Sequence, residues 1–156
     1  MSPGTNMRGA TEQFLANVMA LEGDAARHYA EFARRALDAG NADLEEFFAG
    51  LTEATRMEAH EAGAEGGRGV QASLLLKRLG DSDIRPRRAT QLQGRALDLH
   101  LAISHALELK RRCHAYYASV AALEPDTPLR RRAQALETES ALHLAALEGW
   151  IVRLGA

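Results

Sequence analysis

Four long stretches of the chain carry apolar residues at every third or fourth position, the spacing that places them on one face of an α-helix. The first stretch begins near Thr11 and ends at Gly40, a residue suited to the left-handed position that follows a helix. Asn41 can cap the second stretch, which ends in a run of glycines between positions 63 and 69. The pattern therefore predicts two long helices joined by a short loop.

The second half of the chain repeats this arrangement. A third stretch runs from about Leu92 to Leu123. Thr127 followed by Pro128 is the combination expected of an N-cap and the first residue of a fourth helix. The sequence therefore predicts a second pair of long helices, again joined by a short loop.

A long connection, residues 66–93, separates the two pairs, and residues 72–79 within it are predicted to form a short helix. Two helix pairs joined by one long crossover are typical of an antiparallel four-helix bundle. We therefore predict a single all-α domain over residues 11–156, preceded by a flexible segment at residues 1–10.

Composition favours helices and excludes several classes of protein. Alanine and leucine together make up about a third of the residues, and both favour helices. The net charge of −2 gives no field that would attract nucleic acid or an anionic membrane. No apolar run is long enough to span a bilayer, and residues 1–10 lack the apolar core of a signal peptide. With one cysteine, Cys113, the chain cannot form an internal disulfide framework. We expect a cytoplasmic protein.

Polar residues interrupt the inward face of each predicted helix near its middle. Successive residues turn by about 100° around a helix, so the polar residue that shares the apolar face can be identified. These residues are Glu22 on the first helix, Thr55 and Glu58 on the second, Lys110 on the third, and Ser140 and His143 on the fourth. Because burial of a charge is costly unless it is paired, we expect the six side chains to converge in the centre of the bundle.

The residues alone leave three interpretations of this cluster open. Two carboxylates facing one ammonium and one imidazole can form a self-contained polar network. The same carboxylates and imidazole are natural metal ligands. Lys110 can instead serve as a catalytic amine, since burial lowers the pKa of a lysine. The sequence contains no nucleotide-binding loop, no paired-cysteine motif and no Ser-His-Asp signature.

Four short segments stand in an informative order and spacing. They are Glu22-Gly-Asp-Ala-Ala-Arg-His-Tyr29 followed by Ala30-Glu31-Phe32-Ala33, then Gly40-Asn41-Ala42-Asp43, then Phe48-Ala49-Gly50-Leu51, and finally His143 with Trp150 seven residues later. Over residues 14–154 this pattern resembles the rubrerythrin-like branch of the ferritin-like superfamily. The resemblance implies a ferritin-like bundle that holds two irons. One Glu ligand comes from each of the first and third helices, and a Glu-x-x-His motif comes from each of the second and fourth.

Carried over onto this sequence, the family's six ligand positions fall on the six inward polar residues. The first-helix Glu is retained as Glu22, whereas the third-helix Glu falls on Lys110. The two Glu-x-x-His motifs fall on Thr55 with Glu58 and on Ser140 with His143. The Glu of each motif is therefore replaced by a hydroxyl, which is a poor substitute for a bridging carboxylate.

Lys110 places a positive charge where the family has a ligand, and a protonated amine has no lone pair to offer a metal. We therefore predict that the di-iron site is lost and that Lys110 partly replaces the metals electrostatically. The alternative is a reduced, mononuclear metal site formed by Glu22, Glu58 and His143. The resemblance also places Tyr29 and Tyr117 near the cluster, where we expect core packing with a hydrogen-bonded hydroxyl.

Three functions follow as hypotheses. The first is a non-catalytic ferritin-like protein without a cofactor, acting by binding or assembly with a second copy of the chain or an unidentified protein. The second is an oxidoreductase that uses iron or another divalent metal to act on peroxide or oxygen. The third is Schiff-base chemistry of Lys110 with a carbonyl compound.

Overall fold

The computed structural model describes residues 3–72 and 91–155, with side chains described for residues 8–72 and 98–155. These residues form four α-helices, α1 (Pro3–Asp38), α2 (Ala42–Ala64), α3 (Gln91–Leu123) and α4 (Pro128–Gly155). A single 3-10 turn at Gly67–Gly69 follows α2. No strand occurs in these two ranges, and the prediction of an all-α four-helix bundle is confirmed. The short helix predicted at residues 72–79 lies outside the described residues from position 73 onward.

The predicted helix ends depend on local chemistry that the structure contains. Gly40 has a positive φ of 75°, as expected of the residue that ends α1. The Asn41 side chain accepts a hydrogen bond from the backbone N–H of Leu44 at 3.0 Å. The Thr127 hydroxyl accepts one from the backbone N–H of Arg130 at 3.2 Å. Three of the helix ends are therefore fixed by a capping residue that the sequence identifies.

The start of α1 differs from the prediction. The helix begins at Pro3 rather than near Thr11, so the segment predicted to be flexible is helical from Pro3 onward. Proline is well suited to the first position of a helix, because it lacks the N–H that would be unpaired there. Arg8 and Glu12, one turn apart, form an ion pair at 3.3 Å that spans the predicted start.

Helix α1 packs antiparallel against α3. Near the start of α1, the ring of Phe14 stacks on Tyr116 near the end of α3, with centroids 5.8 Å apart. Towards the end of α1, Phe32 contacts His105 at 5.5 Å. The order of contacts is reversed along the two helices, which defines their relative direction.

Helix α2 packs antiparallel against α4 in the same way. Phe47, near the start of α2, lies 5.9 Å from Trp150 near the end of α4. Glu58, further along α2, lies 3.6 Å from Arg132 near the start of α4. Since α1 and α2 form one antiparallel hairpin and α3 and α4 another, α2 and α3 run in the same direction. Parallel second and third helices are the arrangement that a four-helix bundle with one long crossover has.

The core consists of two apolar clusters at different levels of the bundle. The Tyr29 cluster includes Tyr29, Phe32, Leu44, Phe48, Ile103, Leu147 and Trp150. The Tyr117 cluster includes Phe14, Val18, Ala62, Cys113, Tyr117, Leu129 and Leu136. Along every helix the members of one cluster are separated from those of the other by one of the inward polar positions. The fold thus provides apolar packing above and below a central polar layer.

The one cysteine of the chain, Cys113, is part of the core. Cys113 is only 2% exposed, and burial raises the pKa of its thiol far above the usual range. Such a thiol is a packing group rather than a nucleophile.

No described helix is long and apolar enough to serve as a membrane span.

Candidate functional site

The polar layer between the two clusters contains a small cavity. Its lining residues are the six inward polar residues, Glu22, Thr55, Glu58, Lys110, Ser140 and His143, together with Leu136 and Glu139. All four helices contribute to this lining. The cavity volume is about 10 Å³, roughly the space open to the centre of one water molecule.

Lys110 is the most deeply buried charged residue of this layer, with only 1% of its surface exposed. Its Nζ lies 4.0 Å from Oε2 of Glu22, whose side chain is 4% exposed. The same ammonium lies 5.6 Å from the centre of the Tyr29 ring, within the range of a cation–π contact. A cation from α3 is thus held by a carboxylate and an aromatic ring from α1.

Glu22 has a second partner that fixes its orientation. The Tyr117 hydroxyl donates a hydrogen bond of 2.5 Å to Glu22 Oε1, while Oε2 faces Lys110. Hydrogen bonds to an ionised carboxylate are short and stronger than those between neutral groups. Both carboxylate oxygens of Glu22 are therefore committed to partners within the protein.

The two tyrosines differ in their hydroxyls. We expect a hydrogen-bonded hydroxyl on both, and that of Tyr117 donates to Glu22. The Tyr29 hydroxyl is buried and has no hydrogen-bond partner among the described residues. Tyr29 packs within the Tyr29 cluster, and its ring lies 5.6 Å from the Lys110 ammonium. Burial, and less so the charges of Cys113 and Glu22, raise the pKa of Tyr29 well above the usual range.

Glu58 forms an ion pair with a different cation from the one that the sequence suggests. Instead of sharing Lys110 with Glu22, it lies 3.6 Å from Nη2 of Arg132, which also contacts Glu65 at 3.2 Å. Burial, followed by hydrogen bonding with Glu139 and repulsion from it, raises the pKa of Glu58 to about 7, although the charge of Arg132 acts to lower it. The polar layer therefore contains two ion pairs, Lys110 with Glu22 and Arg132 with Glu58.

Sequence reasoning missed Arg132 and Glu139, although a signal for both exists. Glu139 follows Arg132 by seven residues and precedes His143 by four, so all three lie on nearly the same side of α4. Both are half-buried at the edge of the apolar face rather than on it. A search for charged residues adjacent to the inward stripe would have found them.

The hydroxyls of Thr55 and Ser140 behave differently. The Ser140 hydroxyl donates to the backbone carbonyl of Leu136 at 2.7 Å, so it is satisfied within α4. The Thr55 hydroxyl is buried and has no hydrogen-bond partner among the described residues. His143 Nδ1 is also buried without such a partner. Burial, and then the charge of Lys110, lower the pKa of His143 to about 4, so the imidazole is neutral at pH 7.

The residues of this layer do not fit the two irons that the family resemblance implies. Within residues 8–72 and 98–155, no group of three or more His, Cys, Asp or Glu side chains is arranged to hold a metal ion. The donor chemistry gives the reason, since Glu22 is bound by Lys110 and Tyr117 and the Glu58 carboxyl has a pKa near neutrality. Glu22, Glu58 and His143 therefore do not provide the three free ligands that a mononuclear metal site needs.

The histidines outside the polar layer either contact other parts of the helices or lie on the surface. His114 Nδ1 lies 3.1 Å from the backbone carbonyl oxygen of Glu137. His105 packs against His28 and Phe32, with ring centroids 5.0 and 5.5 Å away. Burial, and then the neighbouring cations, lower the pKa of His105 to about 4. His60 on α2 is exposed.

The unusual carboxyl of Glu58 should affect stability in a defined pH range. Its pKa in the folded chain is about 7, against an ordinary value of 4.5. Its stabilising contribution is therefore present below pH 4.5 and is lost as the pH rises through about 7. Glu58→Gln imitates the protonated form, so we expect the variant to gain stability relative to the wild type between about pH 5 and pH 8. Urea unfolding across this range measures the difference.

Glu61→Gln is the matched control for this experiment. Glu61 also contacts Arg132, at 4.0 Å, but half of its side chain is exposed. We expect its effect on the free energy of unfolding to be the same at both ends of the pH range. An identical pH dependence for the two variants would contradict the raised pKa of Glu58.

The bundle is similar to a solved structure. An uncharacterised conserved protein from Magnetospirillum magnetotacticum, known from a crystal structure at 2.00 Å resolution, superposes with a TM-score of 0.71 and 24% sequence identity. The match covers 91% of this chain and 93% of that chain. No family model matches the sequence, and no curated protein matches it. At this level of identity the likeness shows a shared fold and assigns no function.

Proposed function

We propose that this chain is a ferritin-like protein in which a buried charge network occupies the position of a di-iron site, and that it acts by binding or assembly. The observation that carries the proposal is the ion pair between Lys110 and Glu22, 4.0 Å apart and almost completely buried. It lies at the level where the ligand positions of the resemblance converge. In this interpretation, side chains join the four helices in place of two metal ions.

Electrostatics supports this interpretation. A divalent metal among the ligand positions would lie close to the Lys110 ammonium. At a separation of about 5 Å and an effective dielectric constant of about 20, the repulsion between charges of +2 and +1 is about 7 kcal/mol. Glu22 already neutralises Lys110, so it cannot also offset that repulsion.

The outer surface of α4 supports a binding role. A stripe of exposed residues with the alternating three- and four-residue spacing of a coiled-coil seam consists of Ala135, Thr138, Leu142, Ala145, Gly149 and Val152. Leu142 is 68% exposed and Val152 is 71% exposed. Exposed apolar patches on a folded domain mark interaction sites. The small residues between them would let a second copy of α4 approach closely, so we propose self-association as the first form of assembly to test.

Metal content separates the binding hypothesis from the oxidoreductase hypothesis. For protein expressed in iron-supplemented medium and purified without an affinity tag, we expect elemental analysis to find less than about 0.1 metal ion per chain. A value near one would instead favour the mononuclear site of Glu22, Glu58 and His143 and the oxidoreductase function. A value near two would contradict the proposed role of Lys110.

The assembly role predicts the effect of a substitution on α4. We expect light scattering coupled to size-exclusion chromatography to show a dimer for the wild type and a monomer for Leu142→Asp, since a charge would be buried in the seam. Leu37→Asp is the control, because Leu37 is 60% exposed on α1 and lies outside the seam. A monomeric wild type, or dissociation of both variants, would argue against self-association through α4.

A further inference from the structure

Three polar atoms of the central layer lack a hydrogen-bond partner, although one of them, Glu58 Oε2, lies 3.6 Å from Arg132 Nη2. Thr55 Oγ1, Glu58 Oε2 and His143 Nδ1 are all buried, and none has a hydrogen-bond partner among the described residues. All three residues line the same small cavity. Thr55 is 1% exposed, so bulk water cannot satisfy its hydroxyl. Buried polar atoms without any partner are rare in folded proteins, because each has lost its hydrogen bonds to solvent.

The size and chemistry of the cavity limit what can satisfy these atoms. Its volume of about 10 Å³ is near the minimum for one water molecule and too small for an organic ligand. The Lys110 ammonium, which lines the cavity, disfavours a metal cation there. Buried waters typically make two to four hydrogen bonds to groups that are otherwise unsatisfied, and three such groups are present.

We propose that one structural water molecule occupies this cavity and bridges Thr55, Glu58 and His143. The water accepts a hydrogen bond from the Thr55 hydroxyl and donates one each to Glu58 Oε2 and His143 Nδ1. This arrangement uses the tautomer of His143 that carries its proton on Nε2. The water would connect α2 to α4 across the central layer, the role that a metal ligated by both helices would otherwise have.

Ser140 provides an internal comparison. It also lines the cavity, but its hydroxyl already donates to the backbone carbonyl of Leu136. Its oxygen is therefore not needed as a ligand of the water. The proposal assigns Thr55 and Ser140, which occupy equivalent positions in the two helix pairs, to different roles.

The test is a crystal structure of the full chain at a resolution that reveals ordered water, with anomalous scattering data to identify metals. We expect one peak without anomalous signal within hydrogen-bond distance of the three atoms. Thr55→Val, which keeps the shape of the side chain, should lose this peak, whereas Ser140→Ala should keep it. Circular dichroism establishes that both variants are folded.

The inference rests on the metal-free network proposed above, and the outcomes distinguish the two. A dry cavity, or a direct contact between Glu58 and His143, would overturn the water and leave the charge network standing. Persistence of the peak in Thr55→Val would overturn the assignment of Thr55 as a ligand. A peak with the anomalous signal of a metal would overturn both the water and the proposed function.

Discussion

Replacement of Lys110 by alanine is expected to lower the free energy of unfolding by about 3–5 kcal/mol, the cost of leaving a buried charge without its partner. Glu22 is 3% exposed and pairs with Lys110 at 4.0 Å, so removal of the ammonium leaves the carboxylate without a cation. The hydrogen bond from Tyr117 compensates for only part of this loss. Urea unfolding, followed by far-UV circular dichroism, measures the change.

Two further variants show whether the loss is due to charge. In the double variant Lys110→Met with Glu22→Gln both charges are gone, and the Gln oxygen can still accept a hydrogen bond from Tyr117. We expect it to be clearly more stable than Lys110→Ala, because no unpaired charge remains. Arg27→Ala breaks an exposed ion pair with Asp24 and should cost less than about 1 kcal/mol. Unchanged stability in Lys110→Ala would contradict the charge network.

The fold followed from the sequence because the features that determine it are local. The left-handed glycine at position 40, the cap at Asn41 and the cap at Thr127 depend only on residues within one turn of a helix end. The start of α1 escaped prediction because Pro3 is compatible with both a loop and the first turn of a helix. The apolar periodicity, which extends over several turns, placed the polar residues on the inward faces.

The pairing within the polar layer could not be predicted in the same way. Periodicity assigns a residue to a side of its helix, but it does not say which residue of another helix lies opposite. Glu58 therefore appeared to face Lys110, whereas it lies beside Arg132 and Glu139. Arginine has a long side chain whose charged end can reach inward from the edge of an apolar face. Such contacts depend on the distances between helices, which only the three-dimensional structure provides.

Introduction of the ligand set that the rubrerythrin-like resemblance implies is expected to produce the largest change of all, a gain of metal binding. The variant that combines Thr55→Glu, Glu58→His, Lys110→Glu and Ser140→Glu, with Glu22 and His143 unchanged, contains two Glu-x-x-His motifs and two further carboxylates. We expect it to bind about two irons per chain, the stoichiometry of a di-iron bundle. Elemental analysis after anaerobic loading with ferrous iron and removal of unbound metal measures the gain.

The melting temperature of the same variant should depend on bound iron. Four carboxylates facing one another without Lys110 repel, and the larger side chains must fit a cavity of only about 10 Å³. The metal-free variant should therefore melt below the wild type, and iron should raise its melting temperature because it binds the folded state.

A control with glutamine at positions 55, 110 and 140 and asparagine at position 58 has similar side-chain volumes but no added ligand charge. It should bind no iron, so its response to iron measures non-specific effects. If the carboxylate variant is folded and still binds no iron, the alignment of these positions with the family's ligands is wrong, even though all six residues line one cavity.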